Sequence, residues 1–595
     1  YPQIHPPLSH TSQQQLATMT GTTPSSEPHQ QKSHSDDTHD QSNSQSTAQL
    51  VVDCLLNEGV RHIFALPGEE NAEMMMALKA SEIQVHIVRH EQGAAFMAGG
   101  FSRYSNVPGV VLGTLGPGAT NMLTGVADAH FDRVPVVAIT AQGATTRVHR
   151  ESHQIMDILG MFAPLTKWNS PIRNPQSAVE VVRKCFKIAT TEKPGATHME
   201  LYEDIAKQRC SLDLKPMKIL KVRRPVPDEK VLGQAWNMIK KAKSPVILAG
   251  YGCIRKVASK QLREFSSTTG ICVMNTFMAK GSIPYTDPTC LFTIGLQSKD
   301  YNNLVLEKSD LIITIGFDMS EYHPHLWNPN KDKTILHLDF VPSEVDSHYD
   351  VALEIVGEPS HTLWAMNELQ QKDPVQFDPH KWKSIREAFI RDFEEYKDDT
   401  QEEVLKPQKV LYDVRQVLKD DDILVSDVGA IKMHIARFYQ CVKPGTCIIS
   451  NGFCSMGGAL PISIGVSLAQ GPDRKIVSIS GDGGFLMNVQ EMETAKRMNS
   501  NILCMVWEDF DYGLISWKQD NEYGEHFDMK FGNPKWTVMA QSFGWKSFSV
   551  TKSAELRGTL EEAMKIEGPV LIHIPIDYRE NAKLTKKLGN IRVTL

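Results

Sequence analysis

The chain has no long apolar run, no paired cysteines and no large excess of charge of one sign. No apolar stretch reaches the roughly 18 to 20 residues that a membrane-spanning helix needs, so the sequence predicts no integral membrane segment. The ten cysteines include no CxxC pair, which argues against a structural zinc or a disulfide framework and favours a reducing compartment. A net charge of −7 is too balanced to indicate a nucleic-acid binder.

The first 47 residues contain no arginine and few apolar side chains. They are rich in Gln, Ser, Thr, His and Pro and cannot bury enough apolar surface to offset the entropy of ordering, so we expect residues 1–47 to be a disordered polar tail. Its five histidines could form a metal-binding tract, but polar composition is the simpler explanation. Because transit peptides are Arg-rich, we expect a cytoplasmic location, with an organelle as the alternative if a presequence was removed.

After the tail, amphipathic helical segments alternate with short apolar strands, such as those predicted at 61–66 and 84–88. Continued alternation is typical of α/β folds in which a parallel sheet is covered on both faces. The pattern fills three blocks, 48–215, 225–375 and 405–585, which are separated by polar or proline-containing stretches. We therefore predict an α/β chain of three doubly wound parallel-sheet domains.

A glycine-rich turn with an acidic residue follows one predicted strand of the third block. The strand 475–480 leads into Gly481-Asp482-Gly483-Gly484 and a helix over 487–498, and a second strand over 501–507 is followed by Asp509, 27 positions after Asp482. Parallel strands would place both carboxylates at one edge of the sheet, where ligands bind. Glycines admit a diphosphate, a helix N-terminus offers N–H groups, and two carboxylates can hold Mg²⁺. Taken alone, such a turn is more often an ordinary loop.

Longer motifs resemble one enzyme family. Gly481-Asp482-Gly483, a 24-residue spacer and Glu508-Asp509 are similar to the motif of the thiamin-diphosphate-dependent enzymes, which is GDG, a spacer and an Asn-Asn or Asn-Asp pair. Within that family the chain resembles the acetolactate synthases through RHEQGAAFMAG (89–99), GTLGPGATN (113–121), DVGAIKMHIARFYQ (427–440), SNGFCSMGGALP (450–461) and YGLISWKQ (512–519). Several long independent matches leave little room for chance.

The resemblance implies an acetolactate synthase, a thiamin-diphosphate-dependent carboligase. One pyruvate would be decarboxylated on thiamin diphosphate and its hydroxyethyl unit ligated to a second 2-keto acid, pyruvate or 2-ketobutyrate, to give 2-acetolactate and CO₂ in branched-chain amino acid or acetoin formation. It further implies Mg²⁺, and a homodimer or homotetramer with active sites between the pyrimidine-binding domain of one subunit and the diphosphate-binding domain of another. The alternatives are a thiamin-diphosphate-dependent carboligase or decarboxylase with a different acceptor, and a non-catalytic homologue.

The resemblance also assigns residues to roles. The catalytic set is Glu91, Gly116, Gln142, Gln154 and Lys167, in which Glu91 would bind the aminopyrimidine ring of the cofactor and Gly116 and Gln142 would stabilise oxyanions; a lone Glu91 would otherwise be read as a helix-capping residue. The cofactor-binding set is Pro67, Gly68, Glu91, Asp427, Gly429, Ala430, Met456, Gly481, Asp482, Gly483, Gly484, Asp509, Asp511, Tyr512, Gly513 and Leu514. The Mg²⁺ ligands would be Asp482, Asp509 and the carbonyl oxygen of Asp511. Met456 would support the bent cofactor, or be a core methionine.

The chain also departs from the family pattern. Glu508 stands where relatives usually have Asn, next to the predicted metal ligand, and adds a negative charge there. The segment 316–321 lacks the Arg and the second Asp of the FAD-binding segment, so FAD is predicted to be absent. His153 and the segment 321–328 resemble the catabolic, FAD-independent enzymes. The altered positions Ile431, His434 and Gly458 could admit a different acceptor.

Overall fold

The computed structural model describes residues 44–220, 224–255, 257–296, 300–400 and 403–581. Most of the predicted polar tail, residues 1–43, lies outside this part. Its last four residues form β1 (Ser44–Ser46) and the first residue of α1 (Thr47–Asn57). Ser46 begins that helix with a capping box, in which its Oγ accepts from the Gln49 N–H at 3.2 Å and its own N–H donates to Gln49 Oε1 at 2.8 Å. The described structure therefore starts slightly before the first predicted block.

The first domain contains a six-stranded sheet in the order β3-β2-β4-β5-β7-β6, with all neighbours parallel. Its strands are β2 (His62–Ala65), β3 (Gln84–Ile87), β4 (Gly109–Gly113), β5 (Val136–Gln142), β6 (Asn169–Ile172) and β7 (Ala196–Tyr202). The helices after α1 are α2 (Ala72–Lys79), α3 (Glu91–Ser105), α4 (Pro117–Phe131), α5 (Ile158–Phe162), α6 (Pro175–Thr190) and α7 (Glu203–Lys207), with a 3-10 helix at Ala163–Leu165. The short strand β8 (Arg209–Ser211) pairs with β1.

The central domain repeats this architecture with the strand order β11-β10-β9-β12-β13-β14, again all parallel. The strands are β9 (Pro245–Ala249), β10 (Cys272–Asn275), β11 (Cys290–Thr293), β12 (Leu311–Ile315), β13 (Thr334–Asp339) and β14 (Val351–Val356). The helices are α8 (Glu229–Lys241), α9 (Gly252–Arg255), α10 (Ser259–Thr269), α11 (Tyr301–Lys308), α12 (Pro359–Lys372) and α13 (Lys383–Glu394), with a 3-10 helix at Pro324–Leu326.

The third domain has the strand order β16-β15-β17-β18-β20-β19, also parallel. The strands are β15 (Leu424–Ser426), β16 (Cys447–Ile449), β17 (Ile476–Gly481), β18 (Ile502–Glu508), β19 (Lys546–Ser549) and β20 (Val570–Pro575). The helices are α14 (Pro407–Val417), α15 (Ala430–Phe438), α16 (Ala459–Gln470), α17 (Asp482–Leu486), α18 (Glu491–Arg497), α19 (Gly513–Tyr523), α20 (Trp536–Ser542) and α21 (Ser553–Lys565).

The central strands of all three sheets are buried along their whole length, as in β5, β12 and β18. Near-continuous apolar strands are what a parallel sheet covered on both faces requires. The predicted fold class, three doubly wound parallel-sheet domains, is confirmed. The helix expected over 487–498 is present but shorter: it is α18 (Glu491–Arg497), and a break over 487–490 separates it from α17. The polar side chain of Asn488, buried in that break, donates to the carbonyl oxygen of Gly457 at 2.8 Å.

Helices α3 and α16 pack the first domain directly against the third. A Cβ on Gly100 would collide with the carbonyl oxygen of Ile462, and a Cβ on Gly465 would collide with that of Met97. Their apolar residues share one core cluster, which includes Phe96, Met97 and Leu460. The helix that begins at Glu91 is therefore held against the domain that carries the glycine-rich turn.

No helix in the described part of the chain has both the length and the apolar composition to cross a membrane.

Candidate active site

The glycine-rich turn lies at a switch point of the third sheet. β15 and β17 are neighbours, but the chain continues from β15 to β16 on one side and from β17 to β18 on the other. Ligands of open α/β sheets bind in the crevice at such a point, outside the carboxyl ends of the strands. Asp427 follows β15, Asp482 follows β17 and Asp509 follows β18. The predicted placement of Asp482 and Asp509 at the ends of adjacent parallel strands is confirmed.

The Asp482 carboxylate is held by several donors at once. Its Oδ1 accepts from the N–H of Gly483 at 2.9 Å. Its Oδ2 accepts from the N–H of Phe510 at 2.8 Å and of Asp509 at 3.3 Å, and from the amide Nδ2 of Asn533 at 2.8 Å. Because Asp482 is only 1% exposed, these bonds fix the orientation of a buried charge.

Asp509 lies in a concentration of negative charge. Burial, followed by repulsion from Asp482 and Asp511, raises the pKa of Asp509 to about 8. The side chain of Asp511 is engaged elsewhere, since its Oδ1 accepts from Ser516 Oγ. A cation between these carboxylates would relieve the repulsion. Among the described residues no three or more His, Cys, Asp or Glu side chains form a metal site, so a cation here would need further oxygen ligands, such as backbone carbonyls, water or a diphosphate.

Four glycines lie along this edge. A Cβ on Gly483 would lie 2.9 Å from the Tyr512 ring, and one on Gly457 would lie 2.8 Å from Met487 Cβ. Gly429, the residue before α15, has φ 89° and nothing within 4 Å of a would-be Cβ, so open space borders its backbone. Gly513 begins α19, and a Cβ there would lie 2.6 Å from Asp509 Oδ2. Glycine is thus needed where the backbone lies close to the Tyr512 ring, the Asp509 carboxylate and Met487.

The loop that carries Met456 is hydrogen-bonded to Asp427 at the carboxyl edge of the third sheet. Asp427 Oδ1 accepts from the N–H of Gly457 at 3.1 Å and of Val428 at 2.8 Å. Burial raises the pKa of Asp427 to about 6, and these donors limit the rise. Met456 itself is half-buried. Ala430 and Leu514 lie in the first turns of α15 and α19, whose N-termini face the crevice with Gly429 and Tyr512.

Glu91 is the first residue of α3 and is only 3% exposed. Its Oε2 accepts from Asn121 Nδ2 at 3.0 Å, and a Cβ on Gly118 would lie 3.3 Å from Oε1. The preceding residue, His90, caps the helix through its ring nitrogen Nδ1, which accepts from Gln92 N–H at 3.1 Å. Glu91 itself therefore does not act as the side-chain cap of this helix.

Four further first-domain candidates, Pro67, Gly68, Gly116 and Gln154, lie at the switch point between β2 and β4. Pro67 and Gly68 follow β2, and a Cβ on Gly68 would collide with Thr114, which follows β4. Gly116 has φ 53° and precedes α4, and a Cβ there would lie 2.9 Å from Gln154 Cβ. The structure thus brings Gly116 and Gln154 into contact.

Gln142 and Lys167 are placed differently. Gln142 ends β5 and is buried, with Nε2 donating to the Met156 carbonyl at 3.1 Å and lying 3.4 Å from Glu200 Oε2. Lys167 Nζ donates to the carbonyl oxygens of Ile188 and Thr191 at the C-terminal end of α6. Its ammonium therefore lies at that helix end and not at the turn that holds Gly116.

Two of the altered positions point into the core. Ile431 is 3% and His434 1% exposed, and His434 Nε2 lies 2.8 Å from Asn581 Oδ1 while its ring stacks on Phe438. Gly458 precedes α16, and a Cβ there would lie 3.3 Å from both Ile462 and the Phe96 ring. Both side chains are therefore buried, and Ile431 Cδ1 would lie 3.3 Å from a Cβ on Gly481 in the glycine-rich turn.

Three polar residues at the site were missed by the sequence analysis: Asn488, Glu491 and Asn533. Asn488 supports Gly457, Glu491 accepts from backbone N–H groups just before Glu91, and Asn533 bonds to Asp482. Glu491 lies in an acidic helix start that looks solvent-exposed in sequence, and Asn533 lies in a turn-like Gly-Asn-Pro stretch. No local pattern distinguishes them, because their partners are distant along the chain.

Three models of the thiamine pyrophosphate enzymes match the chain: the N-terminal TPP binding domain at residues 45–161, the central domain at 232–366 and the C-terminal TPP binding domain at 427–574. The chain is 32% identical to an acetolactate synthase of Bacillus subtilis (strain 168) over 92% of the chain and 97% of that protein. It is 32% identical to the catabolic acetolactate synthase of Raoultella terrigena over 91% and 97%, respectively. It is 30% identical to the chloroplastic acetolactate synthase 1 of Zea mays over 90% and 86%. By these matches the chain belongs to the thiamine pyrophosphate enzymes, in the acetolactate synthase family.

Proposed function

We propose that the protein is an acetolactate synthase that uses thiamin diphosphate and Mg²⁺ to join two molecules of pyruvate into 2-acetolactate with loss of CO₂. The observation that carries the proposal is the pair Asp482 and Asp509 at adjacent strand ends, beside the glycines of a family-specific motif. The similarity to acetolactate synthases over about nine tenths of the chain supports the choice of pyruvate.

The residues at the sheet edge fit a magnesium diphosphate. Gly429 borders open space, whereas Gly457, Gly483 and Gly484 let neighbouring protein atoms approach where a Cβ would not fit. Burial, and then repulsion from Asp482 and Asp511, raises the pKa of Asp509 to about 8, and a bound cation would relieve that repulsion. Asp482 and Asp509, with the carbonyl of Asp511, offer the oxygen ligands that Mg²⁺ prefers. The N-termini of α15 and α19 offer free N–H groups to phosphate.

The bound thiamin diphosphate would supply the electron sink that decarboxylation of a 2-keto acid needs. Glu91 would hold the aminopyrimidine ring and keep a proton on the ring nitrogen. Asn121 donates to Oε2 of the buried Glu91 carboxyl, and Oε1, which lies on the side of Gly118, would be the oxygen that contacts the ring. Pro67 and Gly68 would contact the same ring, and Met456 would support the cofactor from the third domain. Gly116 would direct its backbone N–H to the substrate oxygen, and Gln154, in contact with it, would orient the substrate.

The roles of Gln142 and Lys167 are indirect in this proposal. Gln142 is bonded to the Met156 carbonyl and lies beside Glu200, so it would fix the segment that carries Gln154. Lys167 would act as a cap for α6. Tyr512 and Ile515, which are 40% and 43% exposed at the mouth of the crevice, would shape the acceptor pocket. Trp517, in contrast, packs on the core of the third domain.

The active enzyme would be a homodimer or homotetramer with its active sites between subunits. Apolar side chains stay exposed beside the carboxylates, with Met487 at 45% and Phe510 at 47%, and a water-excluding carboligation site would need them covered. Coexpression of Glu91→Gln with Asp482→Asn chains tests this. Shared sites predict that the mixture regains turnover that neither variant has alone, whereas sites within one chain predict no recovery.

FAD would have no role. The crevice of the central sheet, where β12 leads to Asp318, is occupied by ion pairs with the first domain: Arg133 Nε and Lys193 Nζ lie 2.9 and 3.4 Å from Asp318 Oδ2. Burial would raise the pKa of Asp318, but Lys193 and Arg133 hold it below its usual range. Titration of purified protein with FAD tests this, and saturable binding that raises turnover would contradict it.

The test of the function is turnover of pyruvate by purified protein with thiamin diphosphate and Mg²⁺, following pyruvate, CO₂ and acetolactate. We expect acetolactate from the wild type, almost none from Glu91→Gln and unchanged turnover from the matched surface control Glu82→Gln. Release of CO₂ with a different product would favour another carboligase or a decarboxylase, and absence of turnover would favour the non-catalytic homologue.

A further inference from the structure

Glu508, the residue that departs from the family pattern beside the predicted metal ligand, has both carboxylate oxygens bonded to side chains of the third domain. Oε1 accepts from Trp536 Nε1 at 2.6 Å and from Asn533 Nδ2 at 3.0 Å. Oε2 lies 2.8 Å from His573 Nε2. An ionised carboxylate only accepts hydrogen bonds, so all three partners donate, and His573 is fixed by Ser549 Oγ at 3.0 Å from Nδ1.

Asn533 connects Glu508 to the metal site. Its Nδ2 lies 3.0 Å from Glu508 Oε1 and 2.8 Å from Asp482 Oδ2. An amide nitrogen carries two hydrogens, so this one group serves both carboxylates. Its Oδ1 is buried and accepts no hydrogen bond within the described residues. The hydrogen bond to Glu508 thus fixes the Asn533 amide in the position from which it donates to Asp482.

The backbone around Asn533 fixes it against the sheet edge. The N–H of Phe531 donates to the Phe510 carbonyl at 3.2 Å, and the N–H of Tyr512 donates to the Met529 carbonyl at 3.2 Å. Phe510 has φ 58°, and this left-handed turn directs its N–H to Asp482 Oδ2 at 2.8 Å. The oxygen that accepts from Asn533, Oδ2, is therefore the one with three protein donors, whereas Oδ1 accepts, among the described residues, only from the Gly483 N–H and keeps a lone pair for a ligand.

We propose that Asn533 is a positioning residue that orients Asp482 for Mg²⁺ and diphosphate, and that Glu508 acts through Asn533 and not on the cation. The inference rests on the proposed function, because it presumes that Asp482 binds Mg²⁺. The physical reason is that a ligand carboxylate whose orientation is fixed by an outer hydrogen bond loses less freedom when it binds the ion.

The test is calorimetric titration of Mg²⁺ into metal-free protein at a fixed concentration of thiamin diphosphate, together with the melting temperature of the metal-free protein. Asn533→Ala is expected to weaken Mg²⁺ binding about 10- to 100-fold, with turnover recovering at saturating Mg²⁺. Asn533→Ser, which is less disruptive but too short to reach both carboxylates, should behave similarly. Glu508→Gln should weaken binding less, and adding it to Asn533→Ala should have no further effect, because it acts through the same contact.

The matched control is Asn501→Ala. Asn501 precedes β18, the strand that ends at Glu508, and donates to the Pro472 carbonyl at 2.8 Å. Because it lies at the opposite end of that strand, its loss should lower the melting temperature without changing Mg²⁺ affinity. Equal Mg²⁺ affinity of Asn533→Ala and wild type would overturn the inference, as would independent effects of Glu508→Gln and Asn533→Ala that add in full. If the wild type itself showed no Mg²⁺ binding that depends on thiamin diphosphate, the proposed function would be wrong. If the wild type binds Mg²⁺ and Asn533→Ala binds it equally well, only the inference about Asn533 is wrong.

Discussion

Glu491 in the third domain accepts a hydrogen bond from the backbone N–H of Arg89 in the first, with 402 positions between them in the sequence and 3.3 Å between Oε1 and the nitrogen. The carboxyl is fully buried, and Thr494 Oγ1 donates to its Oε2 at 2.6 Å. A Cβ on Gly93 would lie 2.5 Å from Oε1, so a larger residue there would displace the Glu491 carboxylate. The helix that begins at Glu91 therefore rests on a side chain from the domain with the diphosphate motif.

Loss of this support should cost both stability and turnover. Glu491→Ala leaves the Arg89 N–H without its acceptor, which typically costs about 1–3 kcal/mol, and it frees the segment that places Glu91. Glu491→Gln keeps an acceptor oxygen and should lose less. Urea unfolding and pyruvate turnover measure the two effects. Glu493→Ala on the same helix, whose partner is the exposed Arg497, is the control, and equal stability of the Glu491 and Glu493 variants would contradict the prediction.

The crossing of α3 and α16 should not tolerate added volume. A Cβ on Gly465 would collide with the Met97 carbonyl oxygen, and overpacking of this kind costs about 1–3 kcal/mol. Gly558 lies in the interior of α21 with nothing within 4 Å of a would-be Cβ, so Gly558→Ala should be stabilising by roughly 0.5–1 kcal/mol through helix propensity. Opposite signs for the two substitutions in chemical denaturation are therefore expected. A neutral Gly465→Ala would show that the two helices can separate at no cost.

The sheets and the main ligand edge could be predicted from local sequence, because apolar strands, glycine turns and helix periodicity are local signals. The strand before Asp482 was expected over 475–480 and is Ile476–Gly481, and the strand before Asp509 was expected over 501–507 and is Ile502–Glu508. The helix predicted over 487–498 is present as Glu491–Arg497 and begins later than predicted. Before it, Asn488 donates to the Gly457 carbonyl, a contact that no local pattern encodes.

The parts of the site that could not be predicted depend on tertiary contacts. Glu508 looked like an added charge beside a metal ligand, and only the fold brings His573, Trp536 and Asn533 to it. Ile431 and His434 stand out in the sequence as altered positions, and only the fold shows that both side chains are buried. The residue types that follow a strand can be read from the sequence. The direction in which a side chain points depends on neighbours from other strands, and local sequence does not reveal it.

A buried carboxyl at the domain junction should make stability depend on pH. Burial raises the pKa of Glu321 to about 8, although Thr276 and the N–H of Tyr251 donate to it. Since this pKa is above the unfolded value, the folded state binds the proton more tightly, and this contribution to stability is lost as pH rises towards 8. Glu321→Gln removes the titration, so its melting temperature should rise relative to wild type between about pH 5 and pH 8. A difference that stays constant with pH would contradict the assignment.

Substitution of the three clustered aspartates should separate side-chain ligands from a backbone ligand. Asp482→Asn and Asp509→Asn each remove a charged oxygen from the proposed Mg²⁺ site, and we expect at least a tenfold loss of Mg²⁺ affinity from each, about 1.4 kcal/mol or more. Asp511 is proposed to offer only its carbonyl oxygen, while its carboxylate accepts from Ser516 Oγ. Asp511→Asn should therefore retain Mg²⁺ affinity within a few fold and serves as the matched control, since it removes the same charge from the same loop. Calorimetry at fixed thiamin diphosphate measures all three, and an equal loss in Asp511→Asn would mean that net negative charge, and not the position of two oxygens, determines binding of the ion.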